Sequence, residues 1–201
     1  MTEPRGIGHM VRAGVMNASA DRLVREEAGR DLPASRSFHA LYQQHFDFVW
    51  RSLRRLGVRP ALVEDAVQDT FIVVHRRLRD LRPDASAKAF VFAIALRVAH
   101  DYRRSDRRKG TESLHEEPVG GPETGPFEGT AKAEAVRVLE RFLATLDESK
   151  RAVFVSAELE GMSAPEISEA LDVPLNTVYS RLRVARERFV AFLTSQGGRH
   201  G

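Results

Sequence analysis

The stretch from Glu160 to Leu182 constrains this chain most. Ser163 followed three residues on by Glu166 is a capping box, and Pro165 stands in a first turn, where its missing N–H costs nothing. Ile167, Ala170 and Leu171 then form one apolar face. Asp172-Val173-Pro174 makes a turn with Val173 at its corner, and the next helix buries Val178, Leu182, Ala185 and Phe189. The pattern predicts two short helices crossing at a tight turn.

The outer side of the second helix carries Thr177, Ser180, Arg181 and Arg183, and between Pro174 and Val190 four arginines face one glutamate. That arrangement suits a helix-turn-helix whose second helix enters the major groove of DNA. Arginine pairs two-pronged with guanine, and Thr and Ser hydroxyls hold phosphates. A helical hairpin with a solvated basic face is the plainer alternative.

Composition narrows the rest. The 201 residues carry a net charge of +3, so distribution matters more than total. There is no cysteine, which excludes disulfides, thiolate zinc sites and cysteine nucleophiles and suits a reducing cytoplasm. No run approaches the ~20 apolar residues that span a bilayer. The seven histidines are scattered, with no ligand spacing and no paired carboxylates. The expectation is a cytoplasmic, non-enzymatic protein with no catalytic residues, metal or cofactor and no membrane insertion.

Helical periodicity divides the chain. Residues 1–36 read as a flexible tail. Phe38, Leu41, Tyr42, His45 and Val49 follow a candidate N-cap, Ser37. After Gly57 and Pro60 come Val63, Val67, Thr70, Phe71, Val74, Leu78 and Leu81. A third stripe is Phe90 (or Val91), Ile94, Val98 and Tyr102. These three helices predict one domain over 37–108. Residues 109–133 hold Pro118, Pro122 and Pro126, many glycines and Glu112, Glu116, Glu117, Glu123 and Glu128, and read as an acidic linker. Val136, Leu139, Leu143 and Leu146 open a second domain, 134–195, with a helix over 148–160, Gly161 after it, and the two crossing helices; 196–201 form a tail. With no alternating β-branched run, the fold class is all-α, two small helical domains joined by a linker.

Two further surfaces carry chemistry. Arg97, Arg103, Arg104, Arg107, Arg108 and Lys109 outweigh Asp101 and Asp106 at the end of the third helix, with His100 and Tyr102 among them. Basic groups interleaved with an aromatic suit a DNA backbone with an exposed base; an arginine-rich helix end stabilised by the helix dipole is the alternative. The second helix shows Glu64, Asp65, Gln68 and Asp69 beside Phe71.

Taken together these stretches resemble the extracytoplasmic-function (ECF) sigma factors, promoter-recognition subunits of bacterial RNA polymerase that keep two helical domains, regions 2 and 4. Val63-Glu64-Asp65-Ala66-Val67-Gln68-Asp69-Thr70-Phe71 looks like the family's core-binding helix. Ala89 to Ala95, leading to Asp101-Tyr102-Arg103-Arg104, looks like its −10 stretch, and Glu158 to Arg188 looks like its −35 reader. The resemblance implies that Asp65, Gln68, Asp69 and Phe71 dock on the β′ clamp helices of core polymerase, while region 4 meets the β flap. It implies that the connection Asp80–Lys88 forms part of a pocket for a flipped −10 base. Arg97, His100, Asp101, Arg103, Arg104, Arg107 and Arg108 would line the −10 strand, and Thr177, Tyr179, Ser180, Arg181 and Arg183 would meet the −35 duplex. An inhibitory anti-sigma partner is implied as well. The chain has Phe90 where the family usually has Trp, Arg97 where it often has Asn, and Tyr179 and Val184 where it is usually basic.

Two other readings are compatible with the residues. One is a stand-alone helix-turn-helix regulator that binds a palindrome as a dimer; the other is an adaptor or anti-sigma protein built from protein-binding helices.

Overall fold

A computed structural model describes residues 37–82, 84–110 and 131–197. The residues read as the N-terminal tail, most of the linker and the last four residues of the C-terminal tail lie outside them. Among the described residues there is no strand. The elements are α1 (Phe38–Arg55), a 3₁₀ turn, α2 (Val63–Arg77), a second 3₁₀ turn, α3 (Ala87–Gly110), α4 (Ala131–Thr145), α5 (Glu148–Phe154), a π-helical turn (Val155–Leu159), α6 (Ala164–Leu171) and α7 (Leu175–Gly197). Helical backbone thus occupies 109–110 and 131–133, which composition had assigned to the linker. Two compact units divide within α1, between Gln44 and His45, and the packing below is that of the second.

Ser37 starts α1 as anticipated, its hydroxyl oxygen accepting the Ala40 N–H at 3.2 Å. The helix stops at Gly57, whose φ of +95° only glycine adopts easily. The stripe of α2 holds throughout: Val63, Val67, Thr70, Phe71, Val74, Leu78 and Leu81 are all buried. Thr70 is tolerated there because its hydroxyl donates to the Ala66 carbonyl at 2.7 Å.

The face of α3 follows the expectation at Ile94 and at the alternative Val91 and departs from it elsewhere. Val91, Phe92, Ile94, Ala95 and Ala99 are buried, whereas Phe90, Val98 and Tyr102 are only half-buried. Ala95 and Ala99 lie on this inner face, which follows small residues as well as large ones. In the second domain Leu143 and Leu146 are buried but Val136 is exposed. Phe142 takes its place: its ring lies 5.1 Å from Phe154, 4.8 Å from Phe189 and 5.6 Å from Phe192. Four aromatic rings in one cluster give α4, α5 and α7 a common core.

The helix expected over 148–160 is two pieces. Asp147 caps α5 by accepting the Lys150 N–H at 3.0 Å, and its carboxyl is held well below the usual range, first by the Lys150 side chain. After Phe154 one wide turn intervenes, closed by Glu160 N–H to the Val155 carbonyl at 3.0 Å. Ser156, buried, donates to the Ala152 and Val153 carbonyls. The extra residue turns Glu160 inward, and Gly161 at φ +61° ends the element as expected.

Candidate nucleic-acid interface

The capping box is present as read: Ser163 Oγ accepts the Glu166 N–H while Glu166 Oε2 accepts the Ser163 N–H at 2.9 Å. Asp172 ends α6 in the left-handed conformation, φ 51° and ψ 50°. Ser168 Oγ then donates to the Val173 carbonyl at 2.6 Å, and the Val173 N–H returns to Ser168 O at 3.2 Å. This double tie fixes the turn between α6 and α7, and Pro174 O accepts the first N–H groups of α7 from Thr177 and Val178.

On α7, Val178, Leu182 and Ala185 are buried and Phe189 is half-buried against Phe142 and Phe154. The opposite side exposes Asn176, Tyr179, Ser180 and Arg183, spaced i, i+3, i+4 and i+7. Tyr179 is 54% exposed. Arg183 pairs with Glu187 at 2.7 Å along the helix surface, a solvated contact that DNA can replace. Two expected residues sit off this stripe. Thr177 is half-buried at the first turn, and Arg181, half-buried, lines a hollow together with Leu96, Glu148, Ser149, Ala152 and Leu171. Asn176 belongs to the stripe and was not singled out from sequence; its spacing of three from Tyr179 was the available signal.

In the first domain Arg97, Asp101, Arg104, Arg107 and Arg108 are exposed along α3. His100 and Arg103 are not open to solvent in the same way: both meet Glu148, His100 Nδ1 at 2.8 Å and Arg103 Nη1 at 3.8 Å. Asp65, Gln68 and Asp69 are exposed on α2. Asp69 accepts the Tyr102 hydroxyl at 2.7 Å, and burial together with that carboxylate raises the Tyr102 hydroxyl pKa well above its ordinary value. Phe71 is corrected. It is 3% exposed and stacked on Phe46 at 6.4 Å, so it holds α2 to the core and presents nothing to a partner. Among the described residues no group of His, Cys, Asp or Glu could hold a metal, and no helix is long and apolar enough to cross a membrane.

These features define a two-part helical DNA-binding protein with a helix-turn-helix in its second part. Family models agree on both parts: Sigma-70 region 2 matches residues 41–109 and Sigma-70, region 4 matches 137–189. The chain is 32% identical over 183 residues to the RNA polymerase sigma factor CnrH of Cupriavidus metallidurans, covering 87% of this chain and 94% of that one. It is 30% identical over 169 residues to the ECF RNA polymerase sigma factor SigE of Mycolicibacterium smegmatis, covering 83% of this chain and 65% of that one. The solved structure of CnrH in complex with the cytosolic domain of CnrY superposes with a TM-score of 0.62 at 26% identity, over 86% of this chain and 95% of that one. The chain belongs to the ECF sigma factors of the sigma-70 family, non-catalytic subunits that direct transcription initiation by RNA polymerase.

Proposed function

We propose a division of labour among named residues within this sigma factor. Residues 37–108 act as region 2 and 134–195 as region 4. Asn176, Tyr179, Ser180 and Arg183 read the −35 duplex, with Thr177 at a phosphate. Arg183 suits guanine and Asn176 suits adenine by their paired donors and acceptors, while the Tyr179 ring suits a thymine methyl. The observation that carries this reading is the unbroken exposed stripe on α7 opposite buried Val178, Leu182 and Ala185. Arg97, Asp101, Arg104, Arg107 and Arg108 line the −10 strand, joined by His100 and Arg103 once Glu148 releases them. Asp65, Gln68 and Asp69 dock on the β′ clamp helices, and region 4 on the β flap.

The protein works in the cytoplasm, where the polymerase is. CnrH has been solved with the cytosolic domain of CnrY, and a Bartonella quintana sigma factor of the same fold with the anti-sigma factor NepR; an anti-sigma partner follows for this chain. The test is transcription by the reconstituted holoenzyme from promoters substituted singly across the −35 element. Arg183→Ala should weaken −35 recognition by roughly 1–3 kcal/mol and relax preference at one base pair. Uniform loss across all −35 sequences would reduce Arg183 to a phosphate contact.

A further inference from the structure

Tyr102 stands in α3 between Asp101 and Arg103, yet its hydroxyl leaves that helix and donates to Asp69 Oδ2 on α2, 2.7 Å away and 33 residues earlier. Asp69 is exposed together with Asp65 and Gln68, on the side of α2 opposite buried Ala66, Val67, Thr70 and Val74. Asp65 and Asp69 stand at i and i+4, so the two carboxylates are neighbours on the helix surface. Both act on Tyr102. Burial first, then the bond to Asp69 and the charges of Asp69 and Asp65, raise the pKa of its hydroxyl. The hydroxyl therefore stays a proton donor throughout the neutral range.

Elsewhere in the chain carboxylates meet cations: Asp106 meets Arg59, Glu134 meets Arg137, and Glu158 meets Arg186. Among the described residues no arginine or lysine pairs with Asp69, which meets a neutral hydroxyl instead. A guanidinium would cancel the charge and can occupy both oxygens, whereas a hydroxyl takes up one lone pair and leaves the charge whole. The Asp69 carboxylate is thus turned and held while it remains able to accept a cation from outside the chain.

We propose that Tyr102 is a positioning residue for core polymerase: from the helix that carries the −10 residues, it fixes the Asp69 carboxylate in the orientation that a cation of the β′ clamp helices meets. The inference rests on the docking of Asp65, Gln68 and Asp69 proposed above. Core then finds the carboxylate already immobilised rather than free to rotate about its side-chain bonds. The cost of ordering it falls on folding instead of on association. In this role Tyr102 acts only through Asp69.

Equilibrium binding of the full chain to purified core polymerase, measured by calorimetry with no DNA present, tests this. Tyr102→Phe removes only the hydroxyl. It should raise the Kd for core roughly three- to tenfold, the range expected when one interface side chain loses its prior immobilisation. It should leave the salt dependence of binding as in the parent, because the Asp69 charge remains. Asp69→Ala should weaken binding at least as much and flatten the salt dependence. In the Asp69→Ala background, Tyr102→Phe should add less than about a twofold loss, since the hydroxyl no longer has a carboxylate to place. A purely structural role for Tyr102 would instead give the same loss in both backgrounds. That result, or parent-like affinity in Tyr102→Phe while Asp69→Ala is weakened, overturns the proposal and leaves the docking reading standing. Parent-like affinity in Asp69→Ala overturns the docking reading and the proposal with it.

Discussion

Arg151 Nη1 donates to the backbone carbonyl of Leu56, 3.3 Å away and 95 residues earlier in the chain. The same buried guanidinium donates to Leu143 O at 2.8 Å and Leu146 O at 3.0 Å. One side chain therefore satisfies carbonyls at the C-terminal ends of both α1 and α4, groups that a helix cannot satisfy internally. Gly57 makes room for it: a Cβ there would lie 2.7 Å from Arg151 Nη1.

Arg151→Met should therefore be among the most destabilising single changes. It leaves several buried carbonyls without donors, each worth about 1–3 kcal/mol when orphaned. A net loss of about 3 kcal/mol, or roughly 6–12 °C in Tm, is expected from calorimetry. A change under about 1 kcal/mol would mean that water replaces the guanidinium.

His45 is buried with its Nε2 lacking a hydrogen-bond partner, and burial followed by the nearby Lys88 charge lowers its pKa. The unfolded chain takes up a proton near pH 6.5 while the native state resists it, so stability present above about pH 6.5 declines as pH falls below it. His45→Phe should remove that decline and stabilise the protein at pH 5.5. Urea unfolding at pH 8 and pH 5.5 checks this; an unchanged pH slope would point to another group.

Glu166 is held below the usual carboxylate range, first by the Ser163 N–H and next by the Ser86 hydroxyl. A depressed native pKa contributes stability above the ordinary Glu value of about 4.3, lost as pH falls through the native value. Glu166→Gln keeps the capping geometry but loses the charge. It should cost about 1 kcal/mol at pH 7, with the difference from the parent narrowing toward pH 3. A pH-independent difference would remove the charge from the account.

Asp172 carries a positive φ at a position where glycine is the usual residue. Asp172→Gly should be neutral or raise Tm by about 1–3 °C, and Asp172→Val should lower stability by about 1–2 kcal/mol. The reverse order would place the turn in a different backbone conformation in solution.

Much of this was legible in the sequence where side-chain size and period agree. The α2 stripe and the Ser163–Glu166 box are buried and bonded as the spacing predicts. The α3 face was legible at Val91 and Ile94 but not at Ala95 and Ala99, because small residues carry little signal in a size-weighted pattern. The wide turn at Val155–Leu159 has no sequence mark, since Ser156 and Ala157 suit an ordinary helix equally well. Phe71 was read as a docking residue from a resemblance, while its own place in the apolar period already pointed inward. His100 and Arg103 were readable as basic, but their engagement by Glu148 depends on contacts dozens of residues apart that no local pattern encodes.

The central claim is that this chain directs initiation by core polymerase. Run-off transcription with purified core and genomic promoter fragments tests it most directly. Core alone should give no specific product, and core with the chain should start at a discrete site upstream of which −10 and −35 elements lie. Absence of any specific transcript with active core and folded factor would contradict the account.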